Sequence, residues 1–398
     1  MSASSRPALL FLAALRMNVS LIRASLVLAT LLALGGRALA IGKTIEETYA
    51  NGKLKVRREV QEDDRGIQVR HGMETAYYLS GRERSRTRFK DGAKDGDWIT
   101  FFDLAPPDAT APHQAIKKGD GRYRDGRKDD TQRLYFPSGQ VFQETNYRRG
   151  VKHGTQNRFA SAGHKEFEVD FSDGMRHGTL RKWFGPEKLR EMQEYRKGIK
   201  HGDGAMWYSG GQQAVQVSYK DGRRHGDYIE WFSSGQMKMK LAYRDGAPDG
   251  DAAQWYASGQ LQQQGSYKDG RQHGLWQEWH GDESHQLASR LEYKSGRLVG
   301  LQTSWHASGA KRMEISYKAG TASGPWKEWH ENGAKKAEGV YIDGSFEGKV
   351  NFWYPSGKRW SERSYHDGKK HGEWIEWDEE GNVIVKKAYD RDFPVLDP

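Results

Sequence analysis

A seven-residue element, read in Lys220-Asp221-Gly222-Arg223-Arg224-His225-Gly226, recurs along the chain with its first glycine at Gly92, Gly126, Gly150, Gly174, Gly198, Gly222, Gly246, Gly270, Gly296, Gly320, Gly344 and Gly368. Nearly every step is 24 residues. A fixed period of that length constrains the fold more than any other property, because each unit is one supersecondary element that buries its apolar face only against its own copies. The two long steps mark insertions. One adds ten residues in the region of Leu104 to Lys118, and the other adds two near Asp282-Glu283-Ser284-His285. An earlier copy is visible from Arg70-His71-Gly72. Residues 41–66 read as a degenerate N-terminal cap, residues 67–389 as the array, and residues 390–398 as a C-terminal tail.

Each unit contains two turns. Asp-Gly at the first supplies residues that tolerate the positive φ of a tight hairpin. The second is Ser-Gly or Asn-Gly, as in Ser80-Gly81, Ser138-Gly139, Ser234-Gly235, Ser258-Gly259, Ser308-Gly309, Asn332-Gly333 and Ser356-Gly357. The segments between are short and rich in rings and β-formers, with no helical periodicity, so each unit is expected to be two antiparallel strands. Alternation in Val215, Val217, Tyr219 and in Met313, Ile315, Tyr317 places those side chains on one face.

Two columns of rings are fixed to these turns. Five residues after the second glycine of the element stand Tyr77, Phe101, Phe159, Trp183, Trp207, Trp231, Trp255, Trp279, Trp305, Trp329, Trp353 and Trp377. Three residues before its first glycine stand Phe89, Tyr123, Tyr147, Phe171, Tyr195, Tyr219, Tyr243, Tyr267, Tyr293, Tyr317, Tyr341 and Tyr365. With only 36% hydrophobic residues but 12% aromatic ones, the chain lacks the aliphatic content of ordinary globular cores, and stacked rings and cross-strand pairs are expected to hold the sheet together. The expected fold is all-β: an elongated single-layer antiparallel β-sheet of stacked hairpins. About 13 units of two strands at ~4.8 Å each give a sheet on the order of 125 Å long.

The first forty residues read differently. Arg16 and Arg23 precede the apolar stretch Leu26 to Leu34, and Ala38 and Ala40 are the small residues of a signal-peptidase site. The expectation is a cleaved secretory signal over residues 1–40 and a periplasmic or secreted mature chain, with Met17 an alternative start. The apolar stretch is shorter than the ~20 residues of a membrane-spanning helix, so no stable transmembrane segment is expected after processing. With a mean hydropathy of -0.92 and 29% charged residues, a multi-span helical membrane protein is excluded. Removing residues 1–40 takes away Arg6, Arg16, Arg23 and Arg37 and no acid, which lowers the formal charge from +10 to +6. The remaining charges alternate in sign along the chain, the pattern of a solvated surface and not the basic stripe of a nucleic-acid binder. The absence of cysteine excludes disulfides, thiolate metal sites and a cysteine nucleophile.

Residues 367–377, Asp-Gly-Lys-Lys-His-Gly-Glu-Trp-Ile-Glu-Trp, with the following Gly381, resemble the bacterial variant of the MORN repeat, found in proteins labelled YwqK-family antitoxins. The resemblance covers most of residues 66–389. It implies a β-hairpin array used for binding, with no enzymatic site of its own, in a class associated with protein scaffolding and with lipid contact.

The titratable side chains that could carry chemistry recur with the repeat. His71, His153, His177, His201, His225, His273 and His371 share one repeat position, and His280, His306 and His330 another. Copies two strands apart stand roughly 9.6 Å from one another, too far to share a zinc ion bound at about 2.0 Å. Glu230, Glu278, Glu328 and Glu376 recur at one strand phase, and Asp221, Asp245, Asp269, Asp343 and Asp367 at one turn. A catalytic pair should break such a pattern, not obey it. No catalytic, cofactor-binding or metal residues are therefore assigned, and no cofactor is expected. Binding residues are expected where the array deviates: the Leu104 to Lys118 excursion, the loop carrying His285, and rings outside the two columns, namely Trp98, Trp276, Trp326, Trp360 and Trp374. The expected function is that of an exported, non-catalytic scaffold binding another envelope or secreted protein, an immunity-like role being a special case. The alternative is a binder of envelope polysaccharide or anionic lipid through exposed rings and basic residues.

Overall fold

The turns dictate the hairpins. Asp221 (φ 49°) and Gly222 (φ 84°) both adopt the left-handed conformation while Lys220 pairs with Arg223, which is a two-residue hairpin loop of type I′. The second turn closes differently: the Gly235 N–H donates to Phe232 O at 2.9 Å and the Phe232 N–H to Gln236 O at 2.8 Å, with Gly235 at φ 88°. That is a four-residue turn ending in a left-handed glycine.

The computed structural model describes Arg23–Ala24, residues 42–104 and residues 115–395. Among the described residues there is no helix, and none therefore long and apolar enough to cross a membrane. The chain divides into two units, Met1–Met175 and Arg176–Pro398. In the first, antiparallel strands follow one another in chain order from Lys43–Thr48 and Leu54–Glu62 through Glu83–Lys90, Ala93–Phe101 and Lys117–Arg124 to Val151–Phe159 and Lys165–Ser172. In the second, the same succession runs from Lys188–Arg196 and Ile199–Trp207 to Lys369–Trp377 and Val383–Asp390. Both units are stacked hairpins, as the repeat requires.

The boundaries differ in detail from those read in the sequence. Residues 43–62 form a regular hairpin whose turn, with the Gly52 N–H donating to Tyr49 O at 2.9 Å, repeats the second-turn geometry. Lys117 and Lys118 belong to strand Lys117–Arg124, and the Phe102 N–H donates to Ile116 O at 2.9 Å, so the excursion starts and ends on a closed ladder. Its residues 105–114 lie outside the described residues, as do Ala38 and Ala40. At the other end Phe393–Val395 adds a short strand to Val383–Asp390 where a tail was expected.

Two bulges per repeat fix the register. The ladder slips between Val217 and Tyr219, at Gly226, and again between Glu230 and Trp231. Gly226 (φ 90°) stands opposite Tyr243, and the same position opposes a ring in the other repeats. Asp130 (φ 57°) takes this place opposite Tyr147, consistent with the tolerance of Asp for the left-handed region. Neighbouring repeats are also tied turn to turn, the Gly246 N–H donating to Arg224 O at 2.9 Å.

Candidate binding faces of the sheet

One side chain per strand meets its counterparts in a row that crosses the strands. Val217 stands opposite Tyr228, Trp276 opposite Leu291, Gln302 opposite Ile315, and Ile315 opposite Trp326. This row is the interior. Trp276 is 3% exposed, Trp326 8% and Val350 0%. The assignment of Trp98, Trp276, Trp326 and Trp374 as surface rings is therefore corrected: all four occupy the same repeat position in the row, with Trp276 and Trp326 buried and Trp98 and Trp374 half-buried. The slip between Glu230 and Trp231 puts its extra residue, Lys238, on the facing strand, so along their own strand Tyr228 and Trp231, three residues apart, lie on opposite faces. Three of their indole N–H groups donate within the sheet: Trp98 Nε1 to Gln132 Oε1 at 2.7 Å, Trp276 Nε1 to Ser266 O at 3.1 Å and Trp374 Nε1 to Ser364 O at 3.1 Å. Of the five tryptophans only Trp360 is exposed, at 37%, and it packs against Phe352 and Tyr354.

Large rings in the row face glycines. Gly121 is opposite Trp98 and Gly339 opposite Trp326, and a Cβ on Gly265 would lie 2.2 Å from the Trp276 ring. The interior is thus packed by alternating volume along one line, without a second layer of structure to fill it.

The two ring columns are bridged more by cations and by the interior tryptophans than by stacking of like on like. Lys94 lies over Tyr123, Lys200 over Tyr219 and Arg224 over Tyr243 within one repeat, while Lys311, Lys335 and Arg359 reach Trp329, Trp353 and Trp377 of the next. Trp276 makes edge contacts with both Tyr267 and Tyr293.

Several members of the histidine rows have structural work. His201 Nδ1 accepts from the Asp221 N–H at 3.3 Å and His225 Nδ1 from the Asp245 N–H at 3.5 Å, so each caps the next turn. Asp129 does the same for the Arg149 N–H at 2.9 Å. His280, His306 and His330 place Nε2 at 3.0, 3.1 and 2.9 Å from the carbonyls of Trp305, Trp329 and Trp353. Tyr208, Tyr256 and Tyr354 use their hydroxyls for the equivalent bond. In the loop before Leu287, His285 (φ 46°) stacks on Trp279 with ring centroids 6.5 Å apart, and its buried Nδ1 lacks a partner.

The opposite face is polar and carries clefts. One, of about 530 Å³ in the first unit, is lined by Asp97, Ile99, Asp120, Arg122, Thr131 and Arg133 and opens beside Gly121. Another, of about 580 Å³ in the second, is lined by Lys240, Asp251, Gln264, Ser266, Leu275 and Gln277 beside Gly265. Both occur where a glycine leaves the strand without a side chain opposite an interior tryptophan. Arg122 pairs with Asp97 at 2.9 Å and Arg133 with Glu144 at 3.0 Å. Near the first cleft, burial, and after it the hydrogen bond to Asp120, pushes the Tyr135 phenol up to about 12. None of this converges on a nucleophile and a base.

A sequence-family model described as MORN repeat variant matches residues 131–149, 248–269, 322–343, 346–367 and 370–390. The chain is built from MORN repeat variants. No curated protein matches it. Among solved structures, the crystal structure of TcdB2-TccC3 is 13% identical over 88% of this chain and 18% of that one, with a TM-score of 0.17. The form of that complex without its hypervariable C-terminal region is 11% identical over 88% of this chain and 22% of that one, with a TM-score of 0.16. The chain thus spans less than a quarter of those chains, and scores this low carry no argument. A repeat outside the matched stretches keeps the same geometry, with the Asp221-Gly222 turn, the left-handed Gly226 and the Tyr219 ring under Lys200.

Proposed function

We propose that this protein is an exported, non-catalytic scaffold whose polar sheet face binds another envelope or secreted protein. The observation that carries this reading is the division of labour between faces. One face of the described hairpins is consumed by the interior row and by the tyrosine column beside it with its covering cations. The other carries charged pairs, clefts at Gly121 and Gly265, and the exposed side chains of Leu275 and Leu301, a mixture suited to a protein surface. Polysaccharide stacking would use exposed rings, and four of the five tryptophans read as binding residues are committed to the interior row. Residues Ala38 and Ala40 support export, and a mature N-terminus at Ile41 in mass spectrometry is the expected result.

The test of binding is capture from an envelope extract by the mature chain and by a variant carrying Arg122→Glu and Arg133→Glu, both exposed positions on the polar face. Loss of the captured protein at unchanged melting temperature supports the reading. Equal capture by the double variant and by a second variant carrying Lys240→Glu and Leu275→Asp would overturn the assignment of the polar face.

A further inference from the structure

At the turn of Asp367 a carboxylate cap, of the kind seen at Asp129, meets an imidazole in the column before the turn. The side chain that caps the next turn is a carboxylate, Glu347, whose Oε2 accepts from the Asp367 N–H at 2.8 Å. The position before the turn aspartate, filled by Lys220, Arg244, Lys268, Lys294 and Lys318 in other copies, is His366. Where Arg148 and Arg196 reach forward to Asp173 and Asp221 of the next turn, the residue at the next turn is Arg391. His366 turns back instead, placing Nδ1 at 2.9 Å from Glu347 Oε1, with Nε2 at 3.8 Å from Asp367 Oδ2. A second imidazole, His371, stands beside it with ring centroids 5.8 Å apart.

We propose that Glu347, His366 and Asp367 form a surface site for a divalent transition-metal ion of the zinc class, beside His371, whose Nδ1 stands 3.2 Å from Asp390 Oδ1. The regular histidine row cannot converge because its members are separated by whole repeats. Here the ligands come from adjacent positions of two successive turns, and one donor atom from each of the three lies within 4.8 Å of the others. Ligands bound to zinc at about 2.0–2.2 Å in a tetrahedron stand roughly 3.4 Å apart, so closure needs only a shift of about 1–2 Å in side chains that are part-exposed or exposed. The mixture of imidazole and carboxylate donors selects zinc, nickel or copper over calcium or magnesium, which prefer oxygen alone.

The test is a zinc chloride titration of the tag-free mature chain against a chromophoric chelator, with cobalt absorption as a second readout. His366→Lys restores the residue usual in this column, and Glu347→Gln keeps an oxygen to accept the Asp367 N–H, so both variants are expected to fold. The expected result is one zinc site per chain, weakened about tenfold or more in each variant with the thermal melt in metal-free buffer unchanged. Absence of saturable zinc binding, zinc affinity unchanged in His366→Lys, or calcium bound as tightly as zinc would each overturn the proposal.

Discussion

Replacing Gly265 by alanine tests the packing of the interior row with a single methyl group. Gly265 lies within strand Leu261–Lys268 and has no positive φ to protect. By backbone propensity alone the substitution should stabilise the strand by about 0.5–1 kcal/mol, since alanine restricts the unfolded chain more than glycine does. The ring of Trp276 decides otherwise. The new Cβ would lie 2.2, 2.4 and 2.6 Å from three ring atoms of a side chain that is only 3% exposed and held by its N–H bond to Ser266 O. Overpacking of this kind typically costs about 1–3 kcal/mol, so the net effect is a loss of about 1–2 kcal/mol. Because repeats unfold locally, the assay is amide hydrogen exchange of strands Leu261–Lys268 and Arg271–Trp279, read beside the far-ultraviolet melt. Adding Trp276→Leu to Gly265→Ala should recover part of the loss, giving a coupling of about 0.5–3 kcal/mol in the double-mutant cycle. Gly185→Ala, at a strand glycine with nothing within 4 Å, is the control and should stabilise by up to about 1 kcal/mol. Neutral or faster-closing behaviour of Gly265→Ala, or strict additivity with Trp276→Leu, would refute the claim that paired volumes fill this row.

Asp130 is the non-glycine in the bulge column, so Asp130→Val should cost about 1–2 kcal/mol while Asp130→Gly leaves the melt of the first unit unchanged or raised. His330→Phe should lose about 1 kcal/mol with the bond to Trp353 O, and His330→Tyr should keep it, as Tyr354 does for Trp377 O; urea denaturation of the two variants decides. Alkaline titration should show Tyr135 ionising near 12 in the folded chain. Since its unfolded value is about 10, its contribution is complete below pH ~10 and is lost as pH rises from there through about 12, a loss that Tyr135→Phe should remove from the pH dependence of the melt.

The local half of this structure was legible in residue order. Asp-Gly and Ser-Gly mark turns because their left-handed φ values are a property of the residue and its immediate neighbours. The 24-residue step then gives strand number, pairing order and the two ring columns. The face on which a side chain lies was legible only between bulges. Val217 and Ile315 were placed inside by alternation with Tyr219 and Tyr317, and they are buried. Trp276 and Trp326, outside both ring columns, are read from the sequence as surface rings, whereas pairing opposite Leu291 and Ile315 puts them in the interior row. That pairing is a property of two strands joined through a hydrogen-bond ladder, and neither strand's sequence states it. The same holds for the glycines: Gly121, Gly265 and Gly339 look like weak points in a strand until the opposite chain supplies the ring that needs the space. The cluster at Glu347, His366 and Asp367 likewise joins residues nineteen and twenty positions apart. Sequence determined the period and the turns, which local backbone sterics control, whereas cross-strand register alone decided which side chains meet.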